Sequence, residues 1–174
     1  MPDSEEDCLL NKITIIYIFN SGFLFQLAFT AVSFVLVEDI MARSDLCSIE
    51  EIRDLVHSFY DRIRTDEMLG PVFNQHIRDW DTHLSTMVSF WSSLMIGAGT
   101  YDGTPMPKHA ALPGLRAEMF HHWLALFRQT TDTLPNRLMA ELANEYAQRI
   151  ARSLWFGYQI THSPNSVPRD LHHG

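Results

Sequence analysis

The chain has 174 residues, 46% hydrophobic and 20% charged, enough for one domain with a sizeable core and too apolar for a disordered one. A formal net charge of -8, with no stripe of Lys and Arg, excludes a phosphate-backbone binder, so no nucleic-acid partner is expected. Two cysteines, Cys8 and Cys47, exclude a disulfide framework, a Cys-rich zinc knuckle and an iron–sulfur cluster, and they fit a reducing, cytoplasmic compartment.

In chain order, the first feature is an apolar run from Ile13 to Val37 with no charged side chain, long enough to cross a bilayer. Asn20, Ser21, Gln26 and Ser33 interrupt it, and its flanks show no positive-inside bias. A cleaved signal fits poorly, because the preceding flank is acidic. Met41 follows the run directly, so translation starting there would keep the whole globular part; this is the preferred reading of residues 1–45, with a membrane anchor as the alternative.

Ser48 and Glu51 form a capping-box pattern, and Ile49, Ile52, Leu55, Val56, Phe59 and Ile63 recur at helical spacing behind it. That helix should stop near Asp66, before Leu69-Gly70-Pro71, and a short turn through Val72 and Phe73 is expected next. Asp79 can cap a second helix whose apolar face carries Leu84, Met87, Val88, Trp91, Leu94 and Met95, ended by Gly97-Ala98-Gly99. His83 shares that face. Between Gly99 and Pro113 the prolines allow only a helix of one or two turns, and His109 sits in it. A third long helix carries Met119, Phe120, Trp123, Leu124, Leu126 and Phe127. After Leu134-Pro135-Asn136, a fourth repeats Leu138, Leu142, Tyr146, Ile150 and Leu154, with Ala143 and Ala147 allowing close approach of a neighbour. The expected fold class is all-α, with a globular domain over 46–160 and a flexible tail over 161–174; no internal repeat or strand pattern is evident.

Over Ile49 to Tyr158 the chain resembles the truncated haemoglobins, most closely their third group. The resemblance rests on Phe59-Tyr60, Leu69-Gly70-Pro71-Val72-Phe73, His83 with Phe90-Trp91, Gly97 through Gly103, Pro105-Met106-Pro107-Lys108-His109 and Phe120-His121-His122-Trp123-Leu124 with Leu126-Phe127. It implies a globin-like two-over-two helical sandwich enclosing one haem, and it implies His109 as the axial iron ligand. A proline-bounded helix is stiff, and a neutral imidazole can bind metal through one ring nitrogen while the other donates to a carbonyl. With no Cys-x-x-Cys-His motif the expected cofactor is non-covalent haem b.

By the same resemblance Tyr60 and Trp123 are the distal hydrogen-bond donors, a phenolic hydroxyl and an indole N–H suited to a polarised diatomic ligand. His83 matches the distal histidine, which could gate access, donate to the ligand or turn to solvent. Phe59, Phe73, Met87 and Trp91 are expected as apolar wall around the cofactor, a role physically close to ordinary core packing. His121 and His122 point about 100 degrees apart on a helix and cannot chelate jointly. His172-His173 carries no signal.

The implied function is reversible binding of oxygen and other diatomic gases such as NO and CO. Nitric oxide detoxification or peroxide chemistry, with an electron donor such as a reductase, is a possible extension that the residues do not separate from a carrier role. Two other readings stay open on the residues alone. A non-haem metal site on a helical bundle would need paired Glu-x-x-His motifs, and only Glu118 with His121 has that spacing. A membrane-anchored helical interaction module would need the Ile13–Val37 run inserted in a bilayer.

Overall fold

Helix starts and stops set the architecture. In the computed structural model, which describes residues 45–171, Glu51 N–H donates to Ser48 Oγ at 3.1 Å and Ser48 N–H donates to the Glu51 carboxylate at 2.8 Å. This capping box opens α1, Ile49–Thr65. Asp66 ends it, its carboxylate accepting from the N–H groups of Met68 and Leu69 at 2.9 and 2.8 Å. The run Ile13–Val37, Met41 and the pair His172-His173 lie outside the described residues.

The segment expected as a short turn at Val72 and Phe73 is instead a seven-residue helix, α2, Gly70–His76. Pro71 stands in its first turn, where a helical N–H has no partner to lose, so the residue that ends one helix starts the next. Gly70 permits the tight junction, because a Cβ there would lie 3.0 Å from the Arg64 carbonyl oxygen. Asp79 caps α3, Trp80–Met95, by accepting from Thr82 N–H at 3.1 Å. Gly97 and Gly99 follow with φ of 65° and 63°, the left-handed conformation that turns the chain away. Two prolines then fall in the first turn of α4, Pro105–Ala110, which is six residues long.

α5 spans Ala117–Thr131 and α6 spans Arg137–His162. Asn136 caps α6 through Met139 N–H, and its amide also donates to Glu51 and to the Leu46 carbonyl, at 3.0 and 2.9 Å. The starts of α1 and α6 are thereby joined. Among the described residues the fold is entirely helical: α1 packs on α3, α5 packs on α6, and the pairs meet through α1 and α5, the two-over-two sandwich expected. On α6 the buried stripe is Met139, Ala140, Ala143, Ala147, Ile150, Ala151, Leu154 and Tyr158. Leu138, which the spacing placed on that stripe, is exposed. Its neighbour Met139 takes the inner position because α6 contacts α5 through alanines, and Asn144 donates to Thr131 Oγ1 across the same contact at 2.7 Å.

The expectation of a flexible tail over 161–174 does not describe residues 161–171. Helix α6 continues through His162, and the chain then folds back along it. Arg152 pairs with Asp170 at 2.8 Å, Gln159 bonds the backbone of Arg169 in both directions, and Leu171 is fully buried. His121 donates to the Leu171 carbonyl. Apolar periodicity could not reveal a segment held by polar contacts and one leucine. No helix among the described residues is long and apolar enough to cross a membrane.

Candidate functional site

His109 sits near the end of α4, and its Nδ1–H donates to the Pro105 carbonyl at 2.8 Å. That bond assigns the tautomer and leaves Nε2 with its lone pair, the form in which an imidazole ligates metal. Burial lowers the proton affinity of His109, the Pro105 bond opposes that, and the Lys108 charge adds to the lowering.

Helix α4 is too short to hold its own orientation, and α6 supplies the support. Met106 fills a notch over Gly157, where any Cβ would overlap the methionine sulfur. His162 donates to the Ala110 carbonyl at 2.8 Å and stacks on Tyr158 at 4.2 Å. The sequence alone did not single out Gly157 or His162. A glycine inside a long helix costs roughly 1 kcal/mol against alanine and so implies a packing reason; that was the available signal at Gly157.

On the other side, Tyr60 and His83 come together. Their ring centroids are 5.0 Å apart at 87°, and Phe73 and Trp80 each lie 6.1 Å from Tyr60. Tyr60 is buried, which pushes its hydroxyl well above its ordinary pKa and keeps it a neutral donor. His83 Nε2 is buried with no hydrogen-bond partner. Desolvation, with smaller contributions from His109 and Lys108, lowers its pKa to about 4. His83 and His109 therefore lie within electrostatic reach of each other from different helices.

The remaining expected residues form a connected aromatic wall. Phe59 meets both Tyr60 and Trp123 edge-on at 5.2 Å. Trp123 stacks on Phe127 at 5.3 Å, and Phe127 stacks on Trp91 at 5.0 Å. Such pairs contribute about 0.5–1.5 kcal/mol each beyond area burial, so this wall is stiff. Trp123 thus joins Tyr60 through Phe59, and Met87 packs half-buried against the same core. Trp80, half-buried at the start of α3, was not singled out from the sequence, because a residue beside a helix cap carries no periodic signal.

His121 and His122 diverge as expected. His122 donates to Asp66 at 2.7 Å, tying α5 to the turn after α1, while His121 reaches Leu171. Lys108, next to His109 in sequence, lines a polar cleft of about 610 Å³ between α3 and the 100–108 segment, together with Thr82, Ser85, Thr86, Tyr101 and the acidic Asp81 and Asp102. An apolar interior with one fixed imidazole and an orphaned buried nitrogen fits haem, a flat apolar disc that takes a nitrogen ligand.

No family model matches the chain. A curated relative, the group 3 truncated hemoglobin ctb of Campylobacter jejuni, is 36% identical over 106 residues, covering 59% of this chain and 84% of that protein. The crystal structure of a group III truncated hemoglobin from Campylobacter jejuni superposes with a TM-score of 0.61 at 30% identity, over 70% of this chain and 96% of that one. Fold and likeness together define a haem-binding globin of the two-over-two type. Within that class, the chain belongs to the group III truncated haemoglobins.

Proposed function

We propose that this protein holds one non-covalent haem b on His109 and reversibly binds oxygen, NO and CO on the face lined by Tyr60, His83 and Trp123. The observation that carries this reading is the His109–Pro105 bond, which leaves Nε2 as a neutral, oriented ligand, with the buried, unpartnered Nε2 of His83 on a separate helix within its electrostatic reach. Haem supplies the metal centre at which a diatomic gas binds. The chain would supply the His109 imidazole to hold it, the apolar wall of Phe59, Phe73, Met87 and Trp91, and the donors Tyr60 O–H and Trp123 N–H. Lys108 offers one cation to a haem carboxylate from a polar cleft that Asp81 and Asp102 also line. Residues 46–160 form the globin domain in this reading.

Holding a ligand is favoured over cleaving peroxide. Peroxide cleavage needs a paired proton donor and acceptor, and His83 Nε2 has no hydrogen-bond partner to form such a pair. With an electron donor of the reductase class, the same pocket is suited to converting nitric oxide, since Tyr60 and Trp123 would retain oxygen long enough for a second gas to arrive. The test is the visible spectrum of purified protein with and without dithionite and carbon monoxide. A Soret band at roughly 410 nm that shifts with carbon monoxide is expected; colourless protein that refuses added hemin would overturn the proposal.

A further inference from the structure

His83 is held between two rings. Tyr60 meets it from one helix at 5.0 Å and 87°, and Trp80, three residues earlier on its own helix, meets it at 5.7 Å and 86°. Nothing else bonds its Nε2, so these ring contacts determine which way the imidazole faces. Trp80 is itself covered: the Arg64 guanidinium lies 4.8 Å from its ring centroid. Arg64 is well anchored for this. Its carbonyl accepts from the Asn74 amide at 3.1 Å and abuts Gly70, so the end of α1, the start of α2 and the start of α3 converge on it. Outside it a surface groove of about 480 Å³, lined by Asp61, Arg64, Thr65 and Asn74, leaves space for the guanidinium to swing away from the indole.

We propose that Trp80, capped by Arg64, is a positioning residue that keeps His83 turned inward beside Tyr60, so that the Arg64–Trp80 stack sets how fast a diatomic ligand reaches and leaves the pocket. This rests on the haem-globin reading above. With the stack closed, His83 is boxed between Tyr60 and Trp80. When Arg64 leaves, the Trp80 ring loses its outer partner, and rotation of Trp80 frees His83 to turn outward. Neither residue faces His109, so iron ligation stays as it is.

The experiment uses the ferrous holoprotein with carbon monoxide as the probe, followed by flash photolysis and by the C–O stretching band. Removing one exposed cation–π contact with Arg64→Met should raise the bimolecular association rate about two- to fivefold. Trp80→Leu, which removes the ring contacts to both His83 and Tyr60, should raise it about tenfold and move the C–O band toward that of a pocket without an inward imidazole. Arg64→Lys restores a cation over the indole and should return the rate to the parent value. The iron–histidine stretch should be the same in all of them. Unchanged rates and C–O bands in both Arg64→Met and Trp80→Leu, with haem and carbon monoxide bound normally, would overturn this proposal alone. Failure of the parent to bind haem would remove it together with the reading it rests on. If Trp80→Leu does not retain haem, Arg64→Met decides, because Arg64 is a solvent-exposed side chain.

Discussion

Tyr60 on α1 and His83 on α3 meet edge to face with ring centroids 5.0 Å apart, although neither helix alone has any means of aligning them. The contact joins a neutral phenol to a neutral imidazole in a buried space, so hydrogen-bond donation from this side is uncharged.

The hydroxyl of Tyr60 should therefore govern how long oxygen stays. A hydrogen bond to a polarised acceptor contributes about 1.5–3 kcal/mol, which corresponds to roughly one to two decades in rate. Tyr60→Phe is expected to retain haem and raise the oxygen dissociation rate by that amount in stopped flow. Trp123→Phe should act in the same direction, and an unchanged rate in both variants would remove the donor assignment.

His109→Ala is expected to abolish stable haem retention while leaving the helical circular dichroism of the chain in place. The side chain contributes one bond to its own helix and lies outside the fully buried core, so its loss should cost the fold little. A Soret band of parental intensity in the variant would show that the ligand lies elsewhere.

Gly157 supports the helix that carries His109 from behind. Gly157→Leu forces Met106 out of its notch, an overpacking change that costs about 1–3 kcal/mol. Urea unfolding should show this loss together with faster haem release. Adding Met106→Ala makes room again, and the double variant should recover most of both; additive losses would mean the two residues are not coupled.

His83 and Asp66 are among the groups that set the acid side of stability, with His109, Glu51 and Asp79 also held below their ordinary values. His83 has a folded pKa of about 4 against an ordinary value of 6.5, so the unfolded chain binds a proton first. Stability of the apoprotein should accordingly fall as pH drops from about 6.5 towards 4. At Asp66, desolvation raises the carboxyl pKa, but bonds from Leu69 N–H, His122 and Met68 N–H outweigh it and hold it below the usual value. Its contribution is present above the unfolded carboxylate pKa, about 3.9, and is lost as pH falls through the lower folded one. Thermal unfolding from pH 7 to 3 should show both windows. His83→Leu should reduce the first, with His109 keeping a part of it, and Asp66→Asn the second; a parent curve level from pH 6.5 to 4 would contradict the burial of His83.

Helix existence was legible in the chain because caps and breakers act locally. Ser48, Asp79 and Asn136 each bond a backbone group three residues on, and Gly97 and Gly99 turn the backbone without help from any neighbour. α2 was not legible, since Pro71 reads both as an end and as a beginning, and only the packing of Gly70 against Arg64 decides between them.

The aromatic and histidine residues of the pocket could be chosen from the sequence because their types and spacing resemble a known family and their helical faces follow from period 3.6. Their mutual arrangement was decided by the tertiary structure. The Trp91–Phe127 stack, the Met106–Gly157 notch, the Arg64–Trp80 cover and the folded-back Leu171 all join residues on different segments of the chain. Periodicity says which side of a helix is apolar; which partner fills that side depends on how the helices dock, a property of the whole packed chain.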